Sequence, residues 1–192
     1  MTAHELNLLQ GELLRARTYL EFGSGNSTRM AASLPHLQKM TVVESDDAFF
    51  QIQVRTDEAV RKAMESGRLD YRYINVGKTG AWGYPLTAER MNTWPDYSSA
   101  VFRRRPDYDL ILVDGRFRVA CILQACLKCG DRSRILVHDF FNRPAYFVVL
   151  PFLNLVCRVD TFGLFKPDVR RVKRYRSLIR AYIGLFQYQP NM

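Results

Sequence analysis

Short apolar runs and stretches of helical spacing alternate along most of the chain. Leu6, Leu9, Leu13 and Ala16 recur at three- to four-residue intervals and predict a helix over 3–16, a lid or flanking element on a sheet edge. Apolar runs at 18–22 and 40–44, a segment at 69–76 that alternates over its first half, and apolar runs at 108–114 and 134–138 read as strands. The fourth is almost continuously apolar, as in a parallel strand buried on both faces. Between them the spacing predicts a helix at 27–34, opened by Ser27 or Thr28 and ended by Pro35. It also predicts one long helix over 47–66, capped by Asp46 or Asp47 and stopped by Gly67. Further helices are expected at 95–104, at 117–129 before Gly130, and from Pro144 to about 153. A strand pair, 155–159 and 162–165, follows. A helical stripe through Val172, Tyr175, Ile179, Tyr182, Ile183 and Phe186 closes the chain.

This alternation predicts an α/β fold: a doubly wound, Rossmann-like, mostly parallel sheet with helices on both faces. The expected organisation is one domain over 1–192, with a flanking N-terminal helix in 1–17 and a basic C-terminal segment in 166–192. Such sheets bind ligands beyond the carboxyl ends of their strands, where strand order reverses. That rule gathers 23–26, 44–46, 77–84, 114–118 and 138–143 around one crevice. Within it, Gly23-Ser24-Gly25 forms a turn between strand and helix, suited to close backbone approach by a ligand. Glu44 ends the second strand nineteen residues after Gly25, the distance at which an acid grips ribose hydroxyls.

Composition adds limits. A length of 192 residues with 47% hydrophobic residues suits one well-cored domain. No apolar run approaches the roughly 20 residues that span a bilayer, and the start lacks a secretory pattern, so the expected location is the cytoplasm. Cys126-Leu-Lys-Cys129 has metal-ligand spacing without a second pair to answer it, and reads as core filling. The net charge is +9, and from Leu155 onward eight Lys/Arg face only Asp160 and Asp168. This basic end, with Arg103-Arg104-Arg105, is a candidate phosphate grip for nucleic acid.

The segments Glu21-Phe-Gly23-Ser24-Gly25-Asn26-Ser-Thr28, Val43-Glu44-Ser45-Asp46 and Asp109-Leu-Ile-Leu-Val-Asp114-Gly115 resemble class I S-adenosylmethionine-dependent methyltransferases. The resemblance implies a seven-stranded sheet whose last strand is antiparallel, and S-adenosylmethionine as cofactor. It places Gly23 and Gly25 against the methionine half, Glu21 on the ammonium through the loop and Glu44 at the ribose hydroxyls, with Ser24, Asn26, Thr28, Ser45 and Gly77 among the cofactor-binding residues. Asp114 faces cofactor or acceptor in this reading. After strand three, Asn75-Val-Gly77-Lys-Thr lacks the acid that relatives aim at adenine, leaving the Gly77 backbone or Trp82 stacking. The amino-methylating motif is absent, because Asp114-Gly-Arg-Phe stands in its place. Phe140 replaces the Asn of the metal-dependent catechol type, so no metal is expected, although Asp114, His138 and Asp139 are oxygen and nitrogen donors.

Methyl transfer to oxygen requires a base for the departing proton. His138, oriented by Asp139, is the candidate, with Asp114 beside it. Trp82 and Tyr84 are candidate walls of the acceptor pocket, and Arg116, Arg118 and Arg143 candidate receivers of an anionic acceptor. The expected function is O-methylation of a small molecule. The alternatives are a non-catalytic binding protein of this fold and a nucleic-acid-modifying methyltransferase.

Overall fold

The structure is a computed structural model and describes residues 1–103 and 107–190. Seven strands form one sheet: β1 Thr18–Phe22, β2 Lys39–Glu44, β3 Leu69–Tyr73, β4 Leu110–Val113, β5 Arg134–Val137, β6 Leu153–Val159 and β7 Phe162–Pro167. Their order is β3-β2-β1-β4-β5-β7-β6. The first five are parallel, and β7 runs antiparallel between β5 and β6. The expected mostly parallel seven-stranded sheet with an antiparallel last strand is therefore present.

Side-chain alternation divides the core into two layers. On one face Leu20, Phe22, Ile111 and Val113 pack against α5 (Trp94–Ser99), α6 (Arg118–Lys128) and α8 (Arg176–Phe186). On the other, Tyr19, Met40, Leu110 and Leu112 meet α1 (Ala3–Leu13), α2 (Asn26–Ala32) and α4 (Glu58–Glu65). Leu9 and Leu13 of α1 join the cluster that contains Leu112 and Leu136 of the central strands, and the helix also lies against the edge strand β6.

Several boundaries differ from expectation. The helix foreseen over 47–66 is a short α3 (Asp47–Phe49), a π-helical turn at Phe50–Val54, and then α4. Asp57 causes the break, because its carboxylate accepts from the N–H groups of Ala59 and Val60 and starts a new helix. The segment Pro144–Phe152 is 3₁₀ rather than α-helical and carries Pro151. The C-terminal stripe is split at Tyr175 into α7 (Val169–Arg174) and α8. The described part of the 95–104 helix comprises α5 and a 3₁₀ turn, Ala100–Arg103. Arg104 and Arg105 of the expected phosphate grip lie outside the described residues.

Candidate active site

Strand order reverses between β1 and β4, and a cavity of about 730 Å³ opens at their carboxyl ends. Gly23 leaves β1 wedged between neighbours: its N–H donates to Val43 O at 2.9 Å, and the Asp114 N–H donates to Phe22 O at 2.9 Å. It has φ +89°, and a Cβ there would lie 2.7 Å from the Gly115 backbone. Gly25 is different. Its φ of 163° is extended backbone, and a Cβ would meet nothing within 4 Å, yet the residue lines the cavity. The protein itself requires the first glycine, whereas the second keeps the cavity wall bare.

Beneath this turn Glu21 is fully buried. Its carboxylate accepts from the Ser27 hydroxyl and from Thr28 Oγ1 at 2.8 Å. The two hydroxyls expected to open α2 are therefore spent on Glu21, and the helix starts at Asn26 after Gly25. Burial pushes the Glu21 carboxyl up to about 8 despite these hydroxyls, with the Asp114 and Glu44 charges adding to the rise. The ordinary value is 4.5. Between that pH and about 8 only the unfolded chain releases the proton, so stability falls as pH rises through the window and levels off above it. Glu21→Gln is expected to flatten that slope. Urea midpoints at pH about 5 and about 9 should then coincide for the variant and diverge for the parent.

Glu44 ties two loops together. Oε2 accepts from Ser24 N at 2.9 Å and Ser24 Oγ at 2.7 Å, and Oε1 from Ser45 N at 2.7 Å and Asp46 N at 3.1 Å. Ser45 Oγ donates to Gly83 O at 3.1 Å, and Thr79 Oγ1 to Asp46 Oδ2 at 3.3 Å. These bonds hold a turn, closed by the Thr79–Pro85 bridge, over the end of β2. Trp82 stands on this turn with φ 60°, lines the cavity, and is 90% exposed.

Across the cavity, the β4 and β5 ends meet around Arg118. Its guanidinium is buried and donates to Gly115 O at 2.9 Å, His138 O at 2.8 Å and Asp114 O at 2.7 Å. Arg118 is thus a brace between loops, and it also lines the cavity. His138 Nδ1 lies 2.8 Å from Asp114 Oδ1. Since a carboxylate only accepts, this contact places the proton on Nδ1 and leaves Nε2 as the second functional nitrogen. Nε2 faces Glu5 Oε2 at 3.6 Å and Asp139 Oδ1 at 3.8 Å. Asp114, not Asp139, orients the ring. Asp139 instead accepts from Asn142 Nδ2 at 3.2 Å and Arg143 at 3.1 Å.

Glu5 was not evident as a site residue in the sequence. Thr2-Ala-His-Glu5 forms a capping box at the start of α1, a pattern that accounts for the acid locally. Only the fold shows that α1 also carries it to His138. Burial alone would raise the Glu5 carboxyl, but bonds from Thr161 and Thr2 and the proximity of His138 hold it below the ordinary value. Burial likewise works against Asp139, where His138, Asn142, Arg118 and Arg143 prevail and lower it.

The cavity brings together Gly23, Ser24, Gly25, Asn26, Glu44, Ser45, Trp82, Asp114, Arg116, His138, Asp139 and Arg143. Glu21, Thr28, Gly77 and Tyr84 do not line it. Glu21 and Thr28 lie underneath, and a Cβ on Gly77 would face the Arg90 side chain at 3.7 Å. Arg116 Nε is buried with no hydrogen-bond partner among the described residues, an unmet donor on a residue of the cavity wall. Strain also gathers here: Trp82, Phe117 and Asp139 are three of four described non-glycine residues with positive φ. No group of three or more His, Cys, Asp or Glu among the described residues is arranged to hold a metal ion.

No protein-family model and no curated protein matches the sequence. Among solved structures, a methyltransferase-like protein from Silicibacter pomeroyi is 30% identical, with TM-score 0.75, over 87% of this chain and 86% of that one. A candidate caffeoyl-CoA O-methyltransferase from Staphylococcus aureus is 11% identical, with TM-score 0.56, over 86% and 84%. An rRNA methylase from Streptococcus thermophilus is 9% identical, with TM-score 0.50, over 87% and 98%. The chain belongs to the class I S-adenosylmethionine-dependent methyltransferases.

Proposed function

We propose that the cavity holds S-adenosylmethionine and that the protein methylates an oxygen of a small molecule. The observation that carries this reading is the Asp114–His138 pair, which shares one cavity with the bare wall at Gly25 and with Glu44. The residues present fit the cofactor. About 730 Å³ suits a ligand of its size. Glu44 would accept from the ribose hydroxyls, taking the place of the rotatable Ser24 hydroxyl, while Asp114 would face the ammonium and the Arg116 donor a carboxylate. When bound, S-adenosylmethionine supplies an electrophilic methyl group on a cationic sulfur.

The chain's own residues handle the proton. As the acceptor oxygen takes up the methyl group that the cofactor would supply, leaving the thioether behind, the acceptor's proton would pass to Nε2 of His138. Asp114 fixes the ring, and the Glu5 and Asp139 carboxylates stabilise the imidazolium that results. Trp82 and Arg143 border the remaining space for a flat or anionic acceptor.

Glu44→Gln tests the cofactor assignment. Loss of a charged hydrogen-bond acceptor is worth about 1.5–3 kcal/mol, so affinity for S-adenosylmethionine should fall about ten- to hundredfold in calorimetry. An unchanged affinity in a folded variant removes Glu44 from the site.

A further inference from the structure

The basic C-terminal segment has no part in the cavity just described. Residues 169–192 contain Arg170, Arg171, Lys173, Arg174, Arg176 and Arg180 and no acidic residue. α8 presents two apolar stripes. Ile179, Ile183 and Phe186 are buried in the core, while Leu178, Ala181 and Leu185 follow one another at helical spacing on the exposed side. Leu178 is 43% and Leu185 54% exposed, and Val169 at the start of α7 is 47% exposed. Beside Leu178 runs a groove of about 690 Å³ with Phe152 and Tyr182 in its wall and Arg170, Arg171 and Arg174 around it.

Charge and apolarity on one face narrow the occupant. A symmetric contact with a second copy would set these arginines against one another, since no acid follows Asp168 to answer them. Single-stranded nucleic acid calls for open aromatic faces, but Arg174 already lies over the Tyr175 ring at 5.3 Å, and exposed leucines gain nothing from phosphates. An anionic bilayer surface satisfies both halves: headgroup phosphates meet the arginines, and the acyl boundary takes the aliphatic side chains.

We propose that the face formed by α7 and the outer side of α8 docks on an anionic lipid surface, with its arginines at the phosphates and Leu178 and Leu185 entering the interface. The contact lies flat on the membrane. No helix among the described residues is long and apolar enough to cross one.

Sedimentation of the full chain with vesicles tests this. Vesicles of phosphatidylcholine mixed with phosphatidylglycerol should retain the protein, phosphatidylcholine alone should not, and salt should release it. At about fivefold per arginine, Arg170→Gln with Arg174→Gln should weaken binding about twenty-five-fold. Leu178→Gln with Leu185→Gln should weaken it as well, with thermal unfolding and S-adenosylmethionine binding unchanged in both variants. Equal retention by both vesicle types, or by neither, overturns the proposal. So does tight binding of a single-stranded RNA that the arginine variant loses while vesicles are ignored. A dimer dissociated by the leucine variant would show that a second copy is the occupant and would also overturn it.

Discussion

Gly25→Val is expected to fold and to lose the cofactor, whereas Gly23→Val is expected to be strongly destabilised. The two residues sit two positions apart in one turn and differ in what surrounds them. At Gly23 the backbone has φ +89°, and a side chain would drive into the Gly115 backbone at 2.7 Å. The left-handed conformation alone costs roughly 1–2 kcal/mol for a residue with Cβ, and the backbone clash adds to it. A loss of about 3 kcal/mol or more lowers the melting temperature by roughly 6–12 °C in a chain of this size, and a branched side chain exceeds that. At Gly25 neither penalty exists, since the backbone is extended and no atom lies within 4 Å of a Cβ. The space a valine would fill there borders the cavity. Affinity for S-adenosylmethionine should drop at least about hundredfold, equivalent to about 2.7 kcal/mol of overlap. Normal thermal unfolding together with retained affinity in Gly25→Val would show that the ligand does not approach this turn.

The second large effect concerns the proton. His138→Ala should lower methyl transfer about 10²- to 10⁴-fold and leave cofactor affinity within about twofold. Transfer of a labelled methyl group into a panel of phenols, carboxylic acids and hydroxy acids provides the readout. Asp114→Asn is expected to lower both transfer and affinity, because the same carboxylate orients His138, pairs with Arg118 and borders the cofactor space. Equal transfer by the parent and His138→Ala clears the histidine of the base role.

The sheet was legible because its central strands are apolar runs bounded by polar punctuation, and burial on both faces leaves β1 and β4 little freedom to be anything else. Helix continuity was less legible. Asp57 and Tyr175 end helices by local capping and backbone geometry, while the apolar stripe runs on past both. Within the site, residues carried by the strand ends were found where the topology rule puts them. For Glu21 the sequence offers only its position before the glycines, and the packing of Ser27 and Thr28 against it shows a buried anchor beneath the loop. Arg118 reads from the sequence as a candidate receiver of an anionic acceptor, and only the fold shows that three backbone carbonyls claim its guanidinium. Glu5 escaped notice because its contact with His138 joins residues 133 positions apart, and no local pattern encodes that.

Titration calorimetry of the unmodified chain with S-adenosylmethionine tests the central claim most directly. One molecule should bind per chain with a dissociation constant in roughly the micromolar range, and Gly25→Val should abolish the heat. A folded protein that gives no heat up to about millimolar ligand would contradict the account.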